Sequence, residues 1–347
     1  MPARMKDIAE ALNVSIVTVS KVLNNHPGIS AATRQRVIEC AQRLDYRINL
    51  AARGLVTGQS KMIGLIVPDL FHGFFSEVEA GMSDFLRPRS YGLIISSSRD
   101  NERLEQEEVR QMLSRGVDAL VVATCELKVD RLRAAVRDTP LILVDRRAAD
   151  RAPGHIQDRF VGTDDLLAGT LATQHLVDIG RRRIAYISGP DFSPSHDREQ
   201  AYRAVLARAK ITVPESYIVR LPQNEENSHV IGMQAMKKLL ALKRWPDAVF
   251  CYNDPVALGV MMAILEAGLR IPDDIAIVGC GNTFHNPFLR VPLTSVDQSA
   301  ARIGQQAADL ALRTIAEQKQ TLEDTPTAIL IEPKLVIRES TVKLSNP

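Results

Sequence analysis

The stretch MKDIAEALNVSIVTVSKVLN, residues 5–24, decides the fold of the first part of the chain. Its apolar residues recur three and four positions apart, at Ile8, Ala9, Leu12, Val19, Val22 and Leu23. This period predicts two short amphipathic helices. Between them, Asn13 tolerates the left-handed backbone conformation that ends a helix, and the hydroxyl of Ser15 is suited to cap the next helix. The stretch therefore predicts a helix, a tight turn and a second helix that starts near Ile16.

The residues after this stretch predict a third helix. Ser30 is suited to cap it, and apolar positions continue with the same period at Val37, Ile38, Ala41 and Leu44. No alternating strand pattern occurs between residues 5 and 46. We therefore expect an all-α head of three short helices that contains a helix-turn-helix.

The head is also the basic part of the chain. Residues 1–60 carry eight Lys and Arg against four Asp and Glu, whereas residues 61–347 carry 35 against 37. The formal net charge of the whole chain is only +2, so the positive charge is concentrated in the head. A basic segment of this kind indicates binding to the phosphate groups of a nucleic acid.

The remainder of the chain has a different pattern, in which short apolar runs alternate with longer amphipathic stretches. The apolar runs are residues 62–67, 92–95, 119–122 and 141–144, followed by a second series at 184–187, 248–251 and 275–278. Such alternation is typical of parallel sheets with crossover helices. We therefore expect an α/β core of two doubly wound parallel-sheet lobes behind the helical head.

Composition argues against several other classes of protein. The chain has no apolar run near the ~18 residues of a membrane span, and its first residues lack the apolar core of a secretory signal. The four cysteines, Cys40, Cys125, Cys251 and Cys280, lie far apart and form no CxxC pair. We therefore expect a cytoplasmic protein without a metal site, a disulfide framework or another cofactor, and a nucleic-acid-binding head would associate it with the nucleoid.

A series of motifs in chain order resembles the LacI/GalR family of bacterial regulators. These motifs are Met5-Lys6-Asp7-Ile8-Ala9, Val14-Ser15, Thr18-Val19-Ser20-Lys21-Val22-Leu23-Asn24, Ser30-Ala31-Ala32-Thr33-Arg34, Ala52-Arg53-Gly54-Leu55, Ile63-Gly64-Leu65, Asn253-Asp254 and Val296-Asp297-Gln298. The resemblance implies a repressor with a DNA-binding head, a hinge helix, and a two-lobed core of the periplasmic-binding-protein type. It also implies that the core dimerises and binds a small-molecule effector between its lobes.

The resemblance also implies domain boundaries. Residues 1–48 would be the helix-turn-helix domain, 49–60 the hinge helix, and 61–340 the effector-binding and dimerisation domain. Within that domain, we expect lobe 1 to comprise about 61–163 and 292–320, and lobe 2 about 164–291 and 321–340. An ordinary flexible linker is the alternative for 49–60.

In DNA binding, the resemblance places the second helix of the head in the major groove. Ile16 and Val17 would contact thymine methyl groups, since they cannot hydrogen-bond, and Lys21 would donate to guanine O6 and N7. The other residues implied in DNA binding are Lys6, Ser15 and Arg34, with Thr18, Ser20, Asn24 and Arg53 near phosphates and Leu55 wedged between base steps of the minor groove. The alternative for Ile16 and Val17 is a place in the core of a small domain.

Polar residues at the carboxyl ends of the predicted strands are candidate effector ligands. Together with an aromatic face and a guanidinium they match cleft positions of the family: Asp69, Phe74, Ser97, Asp145, Asp164, Arg198, Asn253 and Asn282. Such a mixture suits a sugar. Gly281 stands where the family usually has an aspartate, and Arg198 without that opposing acid would pair with a carboxylate, so a sugar acid is a second hypothesis. A capping or surface role is the alternative for each residue.

The expected partners are double-stranded DNA with a palindromic operator, the effector, and a second copy of the chain. A dimer is preferred to a tetramer because the chain shows no sustained apolar heptads. Induction and corepression both remain open. An enzyme is an alternative class, but GxxxxGK[ST], HExxH and GxSxG motifs are absent. A solute-binding protein for transport is another, which the basic head disfavours.

Overall fold

The computed structural model describes residues 3–23, 26–46, 58–123, 129–147, 159–221, 228–318 and 327–342. The chain folds as two compact units, residues 1–60 and 61–347. Most of the expected hinge, with Arg53 and Leu55, lies outside the described residues, and so does Asn24 of the head. The roles expected for these three residues stay predictions.

The first unit contains the three helices that the sequence predicts. They are α1 (Met5–Leu12), α2 (Ile16–Leu23) and α3 (Ala31–Arg43). Each helix contributes a fully buried side chain to one small core, with Ile8, Val19 and Val37 all at 0% exposure. Burial of these apolar faces stabilises helices that are each too short to be stable alone in water.

Short-range hydrogen bonds set the ends of these helices. Asn13 ends α1 with a φ of 49°, in the left-handed region. The hydroxyl of Ser15 accepts from Thr18 N at 3.0 Å, and that of Ser30 accepts from Thr33 N at 3.2 Å. The predicted turn and both predicted caps are therefore confirmed.

The second unit alternates strands and helices. Its strands are β1 (Met62–Val67), β2 (Gly92–Ser97), β3 (Ala119–Val122), β4 (Leu141–Val144), β5 (Arg159–Thr163), β6 (Ile184–Ser188), β7 (Ile218–Arg220), β8 (Ala248–Cys251), β9 (Ala276–Cys280), β10 (Thr294–Asp297), β11 (Ala328–Ile331) and β12 (Lys334–Val336). Its helices are α4 (Gly73–Leu86), α5 (Glu102–Ser114), α6 (Val129–Val136), α7 (Asp165–Asp178), α8 (Ser193–Arg208), α9 (Ser228–Leu240), α10 (Asp254–Glu266) and α11 (Ala300–Glu317). Each of the seven predicted apolar runs forms a strand. None of the helices in the described ranges is long and apolar enough to cross a membrane.

The strands form two six-stranded sheets, one in each lobe. The sheet of lobe 1 has the order β11-β5-β4-β3-β1-β2, and the sheet of lobe 2 has the order β12-β10-β9-β8-β6-β7. All pairs are parallel except β10 with β12. Helices cover both faces of each sheet, as α4 and α11 do on one face of lobe 1 and α5 and α6 on the other. The core is therefore the predicted pair of doubly wound lobes.

The lobe boundaries differ from the prediction at two strands. β10 pairs with β9 and belongs to lobe 2, whereas β11 pairs with β5 and belongs to lobe 1. The predicted assignment of 292–320 to lobe 1 is therefore wrong for β10, and that of 321–340 to lobe 2 is wrong for β11. Both strands have only four residues. Their sheet is set by long-range pairing, which a local pattern does not show.

Helices α4 and α11 of lobe 1 pack unusually closely through two glycines. A Cβ atom on Gly304 would lie 1.9 Å from the carbonyl oxygen of Val78, and one on Gly81 would lie 1.9 Å from that of Ala301.

We expect Gly304→Ala to force the helices apart and to lower the free energy of unfolding by about 3 kcal/mol or more. Thermal unfolding measures this loss. Gln305→Ala, on the exposed side of the same helix, is the control and should change stability little. Equal midpoints for the two variants would contradict the close packing.

Candidate functional site

Helix α2 presents two candidate base-reading side chains on the surface of the head. Ile16 is 46% exposed and Val17 is 62% exposed, whereas Val19 and Val22 of the same helix are buried. The alternative that Ile16 and Val17 belong to the core of the head is therefore wrong. Two adjacent exposed apolar side chains suit a partner that offers methyl groups, as thymine does in the major groove.

The remaining candidates on α2 surround this pair. Lys21 is exposed one turn further on, and no described residue forms an ion pair with it. The hydroxyls of Ser15 and Thr18 lie 2.9 Å apart at the start of the helix, so both are engaged in the cap. Ser20 is half-buried. Of the candidates on this helix, Lys21 has the side chain best placed to donate to a base.

Two other DNA-binding candidates of the head have partners within the chain. The guanidinium of Arg34 donates to the carbonyl oxygens of Val22, at 3.3 Å, and His26, at 2.7 Å. Arg34 therefore ties the start of α3 to the end of α2. Lys6 forms an exposed ion pair with Glu10 at 3.5 Å, which a phosphate can replace at small cost.

The second candidate site is the cleft between the two lobes of the core. Residues that follow the carboxyl ends of strands in each lobe meet there, as the rule for open α/β sheets predicts. Asn253 Nδ2 lies 3.3 Å from His72 Nε2, and Arg147 N donates to Ser193 Oγ at 2.9 Å. The Arg147 guanidinium also forms an ion pair with Asp197. The lobes are therefore in direct contact across the cleft.

Two cavities lie along this cleft. The larger has a volume of about 540 Å³, and its lining includes the predicted ligands Asp69 and Ser97. The smaller has a volume of about 20 Å³, room for little more than one water molecule. Its lining includes the predicted ligands Phe74, Asp145, Arg198 and Asn253. The structure therefore brings six of the eight predicted effector ligands to the cleft, but divides them between two spaces.

Arg198 is held within the chain. Its guanidinium is 2% exposed and donates to the Asp165 carboxylate, from Nε at 2.9 Å and Nη2 at 2.7 Å, and from Nη1 to the carbonyl of Tyr252 at 2.7 Å. Asp165 thus opposes Arg198 in place of the acid that is missing at position 281, so the guanidinium is already paired with a carboxylate of the chain. Burial raises the pKa of Asp165 to about 6, an effect that the charge of Arg198 opposes.

Asp164 and Asn282 line neither of these cavities. Asp164 caps α7, because its carboxylate accepts from Leu167 N at 2.9 Å. Asn282 Oδ1 accepts from Arg338 Nη2 at 2.7 Å, and its Nδ2 donates to Asp297 at 3.3 Å. The capping alternative holds for Asp164, and Asn282 has a structural role in lobe 2.

The backbone explains why glycine stands at position 281. The φ of Gly281 is +136°, and a Cβ atom there would lie 3.0 Å from Asp254 Oδ2. The Asp254 carboxylate is itself buried and accepts from Ser295 Oγ and Asn286 Nδ2. An aspartate at 281 would therefore be strained and would face a second buried carboxylate.

Sequence reasoning missed several residues of the cleft. Arg146 is 1% exposed, forms an ion pair with Asp100 at 3.1 Å and lies 3.8 Å from the ring of Phe192 in the other lobe. His72 lines both cavities, and His229 lines the larger one. Arg146, Asp100 and His72 follow the carboxyl ends of β4, β2 and β1, so the rule that located Asp69 also points to them. Their pairings join residues far apart in the chain and have no local signal.

The two units match two family models. Residues 4–49 match the model of bacterial regulatory proteins of the lacI family, and residues 173–341 match the periplasmic binding protein-like domain. The HTH-type transcriptional repressor PurR of Histophilus somni (strain 129Pt) is 31% identical over 97% of this chain and 98% of its own length. The ribose operon repressor of Escherichia coli (strain K12) is 33% identical over 95% of this chain and 98% of its own.

Solved structures show the same likeness. A lac repressor dimer bound to operator and the anti-inducer ONPF has a TM-score of 0.83 at 26% identity, over 99% of this chain and 100% of that one. A complex of the transcriptional regulator CelR with cellobiose has a TM-score of 0.72 at 25% identity, over 97% of this chain and 99% of that one. The similarity therefore extends through both units.

Proposed function

The chain belongs to the LacI family of bacterial regulatory proteins, and from that membership we propose that it represses transcription as a dimer on a palindromic operator under the control of a sugar. It is a DNA-binding transcriptional regulator controlled by a small-molecule effector. The family consists of regulators rather than enzymes, and we assign no catalytic step to the chain. Such a regulator acts in the cytoplasm, and we propose that it associates with the nucleoid.

The observation that carries the DNA-binding part is the surface of α2. Ile16, Val17 and Lys21 are exposed on a helix whose start is fixed by the Ser15 cap and whose other side is buried in the head. A two-fold dimer presents this surface twice, so the operator has two half-sites of opposite direction. Thr18, Ser20, Asn24 and Arg53 lie near phosphates in this proposal, and Leu55 is the minor-groove wedge. Lys6, Ser15 and Arg34 are further residues of the proposed DNA-binding surface.

The ion pairs of three arginines at the cleft favour a neutral sugar over a sugar acid. Arg198 pairs with Asp165, Arg147 with Asp197, and Arg146 with Asp100. A ligand carboxylate that paired with one of these three arginines would have to displace its acid, which is costly where that acid is buried, as Asp165 is. Arg99 lines the larger cavity outside these three pairs and is exposed. The hydroxyl groups of a sugar instead need donors and acceptors without net charge. Ser97 and Asn253 offer such groups at the cleft, and the carboxylate of Asp69 accepts from hydroxyl groups but repels a ligand carboxylate.

The proposed coupling between the sites runs through the lobes. A sugar in the cleft contacts both lobes and changes the free energy of their closed arrangement, which is held without ligand by contacts such as Arg147 with Asp197. The hinge connects lobe 1 to the head. A change in lobe arrangement therefore shifts the population of dimers in which both heads reach the operator.

Selection of bound sequences from random DNA tests the proposal. We expect the full chain to enrich a palindrome, to bind it with an affinity that falls steeply as salt rises, and to change that affinity with one of a panel of sugars. The panel contains D-ribose, D-glucose, D-galactose and cellobiose, with D-gluconate and D-galacturonate as the matched acids. Binding that is independent of salt contradicts the regulator, and a response to the acids alone contradicts the neutral sugar.

A further inference from the structure

His72 stands at the boundary between the two cavities of the cleft. It lines both of them and packs against Phe75, with ring centroids 5.4 Å apart. It is the residue before α4, yet its side chain makes no capping hydrogen bond. Its Nδ1 atom is buried and has no hydrogen-bond partner among the described residues. A buried polar atom without a partner is rare in native proteins and calls for an explanation.

The neighbouring amide fixes which nitrogen of His72 carries the proton. Asn253 Oδ1 accepts from Val256 N at 2.9 Å, because Asn253 caps α10. The amide group therefore turns its Nδ2 toward His72 Nε2, at 3.3 Å, and Nδ2 is only a donor. His72 Nε2 must accept, and a neutral imidazole then has its proton on Nδ1. The unpartnered buried atom is consequently an N–H donor.

The surroundings keep this imidazole neutral. Burial lowers the pKa of His72 to about 4, and the charge of Arg146 acts in the same direction. The carboxylates of Asp69, Asp254 and Asp100 raise the pKa but do not overcome burial. The donor is therefore uncharged at neutral pH. Its charge alone does not favour one class of acceptor over another.

We propose that the Nδ1–H of His72 binds an oxygen acceptor of the effector, and that Asn253 holds the imidazole in the tautomer this requires. The inference rests on the proposed function, because it assigns a specificity-determining residue to the same cleft. His72 lies in lobe 1 and Asn253 in lobe 2. Asn253 can therefore hold the proton on Nδ1 of His72 only when the lobes are in contact. Recognition of the ligand oxygen is thereby linked to closure of the cleft.

Two substitutions separate the nitrogen atoms of His72. The amide nitrogen of Asn superimposes on Nδ1, and that of Gln superimposes on Nε2, so His72→Asn keeps the proposed donor and His72→Gln removes it. For a panel sugar that stabilises the wild-type chain, we expect His72→Asn to bind within about threefold of wild type and His72→Gln to bind about tenfold more weakly. Equal losses in both variants, or none, would overturn the proposal and indicate that a water molecule satisfies Nδ1.

A measurement without ligand decides the tautomer. The full chain labelled with ¹⁵N-histidine has seven histidines, and the signals of His72 are those missing in His72→Asn. Two-bond correlation spectra between pH 6 and 8 should show Nδ1 protonated and Nε2 unprotonated. A proton on Nε2, or a charged ring in this range, would overturn the proposal. If no panel sugar binds, the proposed sugar class fails, whereas the tautomer of His72, on which this inference depends, is still decided by these spectra.

Stability provides a check on the neutral state. The pKa of His72 is lower in the folded chain than in the unfolded chain, so the unfolded chain takes up the proton first as the pH falls below 6.5. The wild-type chain should therefore lose stability relative to His72→Asn between pH 7.5 and pH 5. A constant difference in melting temperature across this range would contradict a neutral His72.

Discussion

Replacement of Arg198 by Met is expected to lower the free energy of unfolding of the core by about 3 to 5 kcal/mol. The guanidinium is 2% exposed and occupies its donors with Asp165 and the carbonyl of Tyr252. Its removal leaves the Asp165 carboxylate, which is 5% exposed, without a counter-charge in lobe 2. Breaking a buried pair from one side is far more costly than replacing both partners, because the remaining charge has lost its solvent and its partner.

Urea unfolding, monitored by tryptophan fluorescence, measures this loss of stability in lobe 2. Trp245 is the single tryptophan of the chain and packs against the core of lobe 2. Arg203→Met on the same helix is the matched control, because Arg203 is 45% exposed and pairs with the exposed Glu215 and the half-buried Glu199. Glu199 keeps Arg220 as a partner in this variant. This control should lose less than about 1 kcal/mol. The double variant Arg198→Met with Asp165→Leu should recover most of the lost stability.

The pH dependence of the free energy of unfolding tests the ion pair between Asp165 and Arg198 independently. The pKa of Asp165 is about 6 even beside Arg198, above its unfolded value of 3.8, and loss of the guanidinium raises it further. The folded Arg198→Met variant therefore takes up a proton at a higher pH than the unfolded chain does. Its deficit relative to wild type should be smaller at pH 5 than at pH 8. A deficit that grows on acidification would show that Asp165 is not the group left unpaired.

The local parts of this fold could be read from the sequence because their causes are local. The hydroxyl of Ser15 caps α2 from three residues away, and Asn13 needs only its own backbone to end α1. The apolar runs became strands since a buried parallel strand needs a continuous apolar segment. The same reasoning located Asp69, Ser97 and Asp145, which follow or end such strands.

The partners of the cleft residues have no local cause. Asp165 meets Arg198 across 33 residues, and Arg338 meets Asn282 across 56 residues. Both contacts depend on how strands are ordered in the sheet of lobe 2. The order also decides that β10 joins lobe 2, which the periodicity of four residues cannot indicate. Sequence reasoning therefore found where the cleft lies, but did not find which of its charges remain available to a ligand.

Replacement of Lys21 by Ala is expected to weaken operator binding by about 2 to 6 kcal/mol in the dimer, since each of two half-sites loses about 1 to 3 kcal/mol. Ile16 and Val17 can contribute only apolar contacts, so Lys21 is the one hydrogen-bond donor among the three proposed readers. Its loss should relax the sequence preference at one base pair in each half-site. Competition binding between the selected operator and variants substituted at each position measures both effects.

Arg36→Ala is the control that separates base reading from general attraction to DNA. Arg36 is exposed on α3 of the same unit, carries the same charge, and is outside the proposed reading face. Its loss should weaken binding to every sequence alike and leave the preference unchanged, since removing a cation from the head reduces attraction to phosphates. If Lys21→Ala behaves in the same way, with a uniform loss and a reduced salt dependence, Lys21 contacts phosphate. The specificity of the head would then rest on the methyl contacts of Ile16 and Val17 and on deformation of the operator.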